Sequence, residues 1–301
     1  LGIIGACLPD VRAIPFHLND SHINPLELAP ELDSEPHIVM FSDPLTFDSG
    51  EFVSRLNDTE SAPPIIGGLA SGASDTTYNV LFLNDQMYKS GAVGLLLTGN
   101  IMLEQFVSQG SRGLGVPCFA TRVRGNIIYE LDGFPADLVV ANMLESIDEE
   151  ERILFEENGI LGVYESGTCD EESSGAHEVR QIIGIDHNSS SLILDEPIAE
   201  QSIVSIMIGD PYQSHEFLTQ HLEDFKARRS NDELSGALVF SCVRRGEDFY
   251  NESGHETSVF KEQFSSVPLG GFYSVGELVQ DKGKARVCGM SSAFGFFRPR
   301  R

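Results

Sequence analysis

Apolar residues in this chain fall in short runs of roughly four to eight, separated by Gly, Pro, Asn and Asp, a pattern that predicts many short strands. The first strand is 37–41, where Ile38, Val39 and Met40 precede a turn at Asp43-Pro44. A short amphipathic segment covers 51–56. A proline-opened strand then runs through Ile65-Ile66 into the glycine-rich loop Gly67-Gly68-Leu69-Ala70-Ser71-Gly72. Residues 80–83 and 92–98 read as a hairpin with a longer loop, and 101–108 as a strand entering a glycine-bearing turn at 109–115. A further hairpin is predicted at 119–124 and 126–131, around Gly125.

After Asp132-Gly133 the period changes. Residues 135–146 have helical spacing behind Pro135, a residue tolerated in a first helical turn. The segment 147–158 opens with acidic residues 148–151, which suit a helix N-terminus. Strands follow at 159–164, 178–186, 191–194 and 202–208, with a polar loop at 169–176. A helix at 214–229 places Phe217, Leu218, His221, Leu222 and Phe225 on one face, with Ser214 as its expected cap. An apolar strand at 237–242, a helix at 257–263 and strands at 269–273 and 286–297 close the chain. Hairpin-like joins outnumber helical crossovers. The pattern therefore predicts an α+β fold, mostly antiparallel sheets covered by helices, and not a doubly wound parallel sheet. The domain boundary is placed near residue 131, and no repeat of solenoid length is visible.

Composition adds two constraints. A chain of 301 residues, 41% of them apolar, is long enough for about two domains with large cores. Its 20 Lys and Arg against 46 Asp and Glu give a formal net charge of −26, a field that repels nucleic acid and anionic lipid. Basic protein partners fit that field, and solubility alone is the plain alternative. No stretch approaches the roughly 20 apolar residues of a membrane span. Residues 1–8 lack the basic lead of a signal peptide, and the absent initiator Met is read as a processed or truncated beginning. Cys7, Cys118, Cys169, Cys242 and Cys288 form no CxxC pair, which argues for a reducing intracellular compartment and against a disulfide scaffold or zinc.

Motifs for chemistry mostly fail on inspection. The 67–72 loop is followed by Ala73-Ser74-Asp75 where a phosphate loop needs Lys-Ser or Lys-Thr, so it reads as a tight packing turn. Ser241-Cys242 ends an apolar strand near Arg244, Arg245 and His255, which allows a nucleophile, a reactive thiol or plain core packing. His177 and His187 stand near acidic residues and read as solvated. The acidic runs 148–151 and 170–172 lack the ligand spacing of a calcium loop, and no nucleophile elbow occurs.

Several stretches together resemble the FIST family, named for F-box and intracellular signal transduction proteins. They are Leu8-Pro9-Asp10-Val11-Arg12 with Pro15-Phe16-His17-Leu18; Ser42-Asp43-Pro44 with the 63–72 loop, Leu81-Phe82-Leu83-Asn84 and Gly91-Ala92-Val93-Gly94; Val107-Ser108-Gln109-Gly110-Ser111-Arg112. Gly125-Asn126-Ile127-Ile128 and Glu130-Leu131-Asp132-Gly133 follow. Phe240-Ser241-Cys242, Arg245-Gly246, His255, Val267-Pro268-Leu269-Gly270-Gly271-Phe272 and Gly276-Glu277 complete the series. The resemblance implies two packed FIST subdomains. Residues 1–130 would be the FIST N-terminal domain lacking its beginning, and 131–301 the FIST C-terminal domain.

The resemblance further implies a non-enzymatic sensory or adaptor module, with no cofactor, that binds a small ligand such as an amino acid, or a protein partner. Relatives stand beside bacterial signalling domains or behind F-boxes; no F-box is recognisable here. Two departures bear on a ligand site: Ser111 stands where Cys is usual, and Ser274-Val275 replaces a segment often ending in Asn. Candidate ligand-binding residues are Ser108, Gln109, Arg112, Cys242, Arg245, His255 and Glu277, at strand ends or glycine-bearing turns. Arg112 or Arg245 would hold a ligand carboxylate by a two-pronged hydrogen bond, or serve as a structural arginine in a tight turn. The alternative is a structural or linker subunit of a larger assembly, a photosynthetic, thylakoid-associated one included, with the protein in cytoplasm or plastid stroma. An enzyme dependent on Cys242 ranks last.

Overall fold

The structure, a computed structural model, describes residues 3–28, 35–59, 62–73, 79–164, 178–229 and 233–300. Packing divides the chain into two compact units, one Gln109–Glu216 and the other Leu1–Ser108 together with Phe217–Arg301. The boundary placed near residue 131 falls inside the first of these. Among the described residues, no helix is long and apolar enough to cross a membrane.

The discontinuous unit begins with strands β1 (Val11–Leu18) and β2 (His37–Ser42), helix α1 (Ser49–Asn57), and strands β3 (Ile65–Leu69), β4 (Leu81–Leu83), β5 (Gln86–Tyr88), β6 (Ala92–Gly99) and β7 (Met102–Gln109). The unit 109–216 contains β8 (Ser111–Gly113), β9 (Cys118–Arg124), β10 (Ile127–Leu131), β11 (Phe134–Pro135), α2 (Ala136–Ser146), α3 (Glu149–Asn158), β12 (Gly159–Tyr164), β13 (Glu178–Asp186), β14 (Ser191–Leu194) and β15 (Ile203–Gly209). Helix α4 (Pro211–Arg228) leads back. There follow β16 (Gly236–Cys242), α5 (Glu247–Tyr250), α6 (His255–Gln263), β17 (Leu269–Ser274), β18 (Glu277–Asp281), β19 (Lys284–Cys288) and β20 (Ser291–Arg298).

In the unit 109–216 the strands close into an antiparallel barrel. The order β10-β14-β13-β12-β15 is joined end to end by β9, which pairs with both β10 and β15. Alternate residues point inward, and Ile128, Leu161, Leu192, Val204 and Ile208 are buried together with Ala136 and Val140 of α2 and Phe155 of α3. Asp148 and Glu151 close a capping box at the start of α3.

The discontinuous unit holds two larger sheets, β1-β6-β2-β3-β18-β19 and β17-β16-β20-β7, and the two-stranded β4-β5. β1 with β6, β6 with β2, β3 with β18, β18 with β19 and β16 with β20 pair antiparallel; the exceptions are β2 with β3 and β16 with β17, which pair parallel. These exceptions belong to one motif that occurs twice. A strand (β2 or β16) crosses through helix to a parallel neighbour (β3 or β17). A hairpin follows (β4–β5 or β18–β19), and a strand (β6 or β20) returns antiparallel on the other side of the first. The registers agree residue for residue: Ile38 lies opposite Ile65 and Leu96, and Ala237 opposite Leu269 and Phe296. Ile38 N donates to Pro64 O at 2.8 Å, and Ala237 N to Pro268 O at 2.8 Å. On this alignment Phe41 matches Phe240, Ser42 matches Ser241, and Gly67 matches Gly271. Both glycines are required by close approach, since a Cβ would collide with the Met40 carbonyl at Gly67 and with the Val239 carbonyl at Gly271.

Each copy has its own core. Ile38, Met40, Phe52, Leu56, Ile65, Leu96 and Leu278 are buried around the first. Leu218, Leu222, Phe225, Phe260, Phe264, Phe294 and Phe296 surround the second, with Phe225 and Phe296 stacked at 4.0 Å.

Three expectations are corrected. Residues 80–83 and 92–98 do not pair: Leu81–Leu83 turns at Asn84-Asp85 onto Gln86–Tyr88, while β6 lies between β1 and β2. Asn84 takes a positive φ of 53°, the tight-turn signal that Asn-Asp offered. Ser214 lies inside α4, which starts at Pro211, and its hydroxyl donates to Gly110 O at 3.0 Å. The strand expected at 286–297 is two, β19 and β20, broken at Met290, where φ is 49°. The loop 169–176, Cys169 and His177 lie outside the described residues.

Candidate functional site

The C-terminal ends of β16 and β17 carry a buried charged cluster. After Cys242 the chain makes a tight helical turn, Val243–Arg245, which folds Arg245 back beneath the sheet until its side chain is fully buried. Burial opposes its charge, and the Glu256 carboxylate outweighs burial and holds the guanidinium above its ordinary pKa. Arg245 Nε donates to Glu256 Oε1 at 2.9 Å, Nη2 to Tyr250 Oη at 2.7 Å, and Nη1 to Met290 O at 3.2 Å and Ser108 O at 3.4 Å. Glu256, in the first turn of α6, also accepts from Ser241 Oγ, Ser292 Oγ and Tyr250 Oη. Burial raises the Tyr250 phenol, which stays neutral.

A second buried carboxyl stands beside the first. Glu277 opens β18, is fully buried, and accepts from Ser274 Oγ at 2.8 Å and Ser291 Oγ at 2.6 Å. Among the described residues, no ion pair joins Glu277 to a cation. Burial pushes its pKa to about 8, so at neutral pH it is mostly a protonated acid. Burial and the neighbouring Glu277 raise the Cys242 thiol to about 11. That environment is the reverse of one that activates a thiolate. At the rim stands Tyr273, 42% exposed, its phenol raised by burial and by the proximity of Glu256.

Of the seven residues singled out from sequence, Ser108, Cys242, Arg245 and Glu277 meet in this cluster. His255 borders it, stacked on the Tyr250 ring at 4.0 Å with Nδ1 3.0 Å from Glu252 Oε2. The Ser108 hydroxyl is buried and, among the described residues, has no hydrogen-bond partner. Gln109 and Arg112 are counted with the other unit. There Arg112 is held by Glu151 at 2.6 Å and by Asp210 at 2.8 Å, two carboxylates of the chain itself. Sequence reading did not single out Glu256, Tyr250, Ser291 or Ser292, and noted Ser274 only as a departure from the family pattern. The adjacent serines after Gly289-Met290 and the acid following His255 were the available signals.

The duplicated motif supplies an internal control. At the positions of Ser274, Ser291 and Ser292 the first copy has Ala70, Gly91 and Ala92. In place of Cys242 it has Asp43, which closes a local turn by accepting from Thr46 Oγ1 at 2.5 Å and Asn79 Nδ2 at 2.8 Å. The strand geometry is thus built once without buried arginine, paired acids or the serine set. The strand motif by itself does not need the cluster to form.

A FIST N domain model matches residues 6–133 and a FIST C domain model residues 137–280. An uncharacterized protein of Mycobacterium bovis is 26% identical over 259 residues, covering 86% of this chain and 67% of its own length. An uncharacterized protein of Mycobacterium tuberculosis is 24% identical over the same shares of both chains.

Proposed function

The chain belongs to the FIST family, whose domains are associated with sensing in signal transduction, and from that premise we propose that it is a non-catalytic sensory module. It binds a small polar ligand, such as an amino acid, at the ends of β16 and β17. One observation carries this reading: the second copy of the motif concentrates Arg245, Glu256, Glu277 and the hydroxyls of Ser274, Ser291 and Ser292 where the first copy has Ala, Gly and a closed turn. Ends of parallel strands are also where open α/β sheets place their ligands. Glu277, which has two hydroxyl donors and, among the described residues, no ion-pair partner, is complementary to a ligand ammonium group once its proton passes to solvent. Arg245 positions Glu256 and itself makes four hydrogen bonds within the chain.

Thermal unfolding of the parent and of Glu277→Gln, each with a panel of amino acids, tests the reading. A ligand at 100 times its Kd adds about 2.7 kcal/mol to stability, which for a chain this size corresponds to roughly 5 °C or more in Tm. The parent is expected to show such a shift for at least one compound, and the Gln variant to lose it. A parent that responds to none of the panel contradicts the proposal.

A second reading, the structural subunit of an assembly, has one observation in its favour: Arg245 and Glu256 are satisfied by the chain's own groups. Native mass spectrometry of the endogenous protein separates the two, a stoichiometric complex favouring the subunit.

A further inference from the structure

The two copies of the motif differ at one edge. In the first copy β3 is covered: β18 lies antiparallel along it, with Leu278 opposite Gly67 and Val279 opposite Ile66, and Leu69 N donates to Gly276 O at 2.8 Å. Leu278 caps Met40 and Ile65, and all three are fully buried. In the second copy the equivalent strand β17 ends its sheet. The parallel ladder to β16, with Ala237 N bonded to Pro268 O, turns the backbone groups of Leu269, Gly271 and Tyr273 away from β16. Among the described residues no strand pairs with them; only the Ser71 hydroxyl reaches the Tyr273 carbonyl. Val239 and Leu269, the counterparts of Met40 and Ile65, are only partly buried, and Gly271 and Phe272 are exposed. Among the described residues, none supplies to the core of the second copy the apolar side chain that Leu278 supplies to the first.

We infer that the outer edge of β17 is a docking site for an extended peptide strand of a protein partner, taken antiparallel in the register in which β18 lies on β3. The residue opposite Gly271 is apolar and covers Val239 and Leu269. The rest of the strand is basic, because the chain carries a formal net charge of −26. Backbone groups give such strand addition its affinity and the alternate side chains its selectivity. A second copy of this chain fits less well. Two β17 edges would meet with glycine near glycine, leave Val239 and Leu269 uncovered, and bring together two strongly acidic molecules.

The repeat supplies the probe: a labelled synthetic peptide with the sequence of residues 276–289, Cys288 replaced by Ser, which copies the β18–β19 hairpin. Titration into the full chain is followed by fluorescence anisotropy, and amide hydrogen exchange is read at Leu269, Gly271 and Tyr273. Saturable binding that slows those amides at least about tenfold, and its loss with a Leu278→Asp peptide, is the expected result. Exchange unchanged by the peptide overturns the inference. So does protection of those amides already in the free protein, or their protection through a concentration-dependent dimer seen by sedimentation.

Discussion

The rings of Phe41 and Phe240 meet with centroids 5.6 Å apart, and the two residues hold the same place in the two copies of the motif. Equivalent residues in contact are the mark of a self-complementary, two-fold interface, here inside one chain. Phe272 completes the group, edge-on to both at 5.4 and 5.1 Å. A double-mutant cycle with Phe41→Leu and Phe240→Leu is expected to give a coupling of about 0.5–1.5 kcal/mol in chemical denaturation. Additive effects would mean that the contact contributes nothing beyond each ring's own burial.

Gly67→Ala and Gly271→Ala form a matched pair. Each places a Cβ against a backbone carbonyl that cannot move without breaking the parallel ladder. Both variants should lose about 3 kcal/mol or more, and by similar amounts. Gly5→Ala, where a Cβ meets open space, should stay within about 0.5 kcal/mol of the parent. Unequal losses at the first two would argue against equivalent packing of the copies.

Glu277 gives stability a pH dependence of known sign. Below about pH 4.5 the carboxyl holds its proton in both folded and unfolded chains. Between there and about 8 the unfolded chain releases the proton while the folded chain keeps it. The unfolded state then binds fewer protons, so this group's contribution falls as pH rises, by up to about 1.4 kcal/mol per pH unit, and levels off above about 8. Denaturant midpoints of the parent minus those of Glu277→Gln should therefore decline across that window. A flat difference would show that Glu277 is ionised in the folded protein.

Cys242 should resist alkylation at neutral pH, being buried and held as a thiol near 11, whereas the exposed Cys7 should react first. Peptide mapping after brief iodoacetamide treatment orders the two. Faster labelling of Cys242 would reopen a nucleophilic role.

Much of this fold was legible in the order of residues, for identifiable reasons. Strands β2, β3 and β16 were visible because both faces are largely buried and their apolar runs are continuous. Helix α3 announced itself through Asp148 and Glu151. The hairpin β4–β5 was missed because Phe82 and Met87 are exposed, 69% and 57%, so its strands carry no buried-face signal. The duplication was hidden by divergence. Pro64 with Pro268, Gly67 with Gly271, Gly72 with Gly276, Phe41 with Phe240 and Ser42 with Ser241 survive among largely changed neighbours. Of the cluster, Cys242 and Glu277 were found because they end or begin strands, and Arg245 because it stands in a glycine-bearing turn before Gly246. Glu256 lies on a helix, and only the tertiary fold brings it to Arg245.

The central claim is that the buried cluster serves a function and not the fold. Its most direct test replaces the cluster with apolar residues in the manner of the first copy: Arg245→Met, Glu256→Leu and Glu277→Leu, with Ser274, Ser291 and Ser292 changed to Ala. Stability and ligand-dependent thermal shift are then measured together. Removing Arg245 alone should cost about 3–5 kcal/mol by stranding a buried charge, while removing the whole network is often neutral or stabilising by about 1–4 kcal/mol. The account predicts a variant as stable as the parent that no longer responds to ligand. A variant that fails to fold, or that folds and still responds, would contradict it.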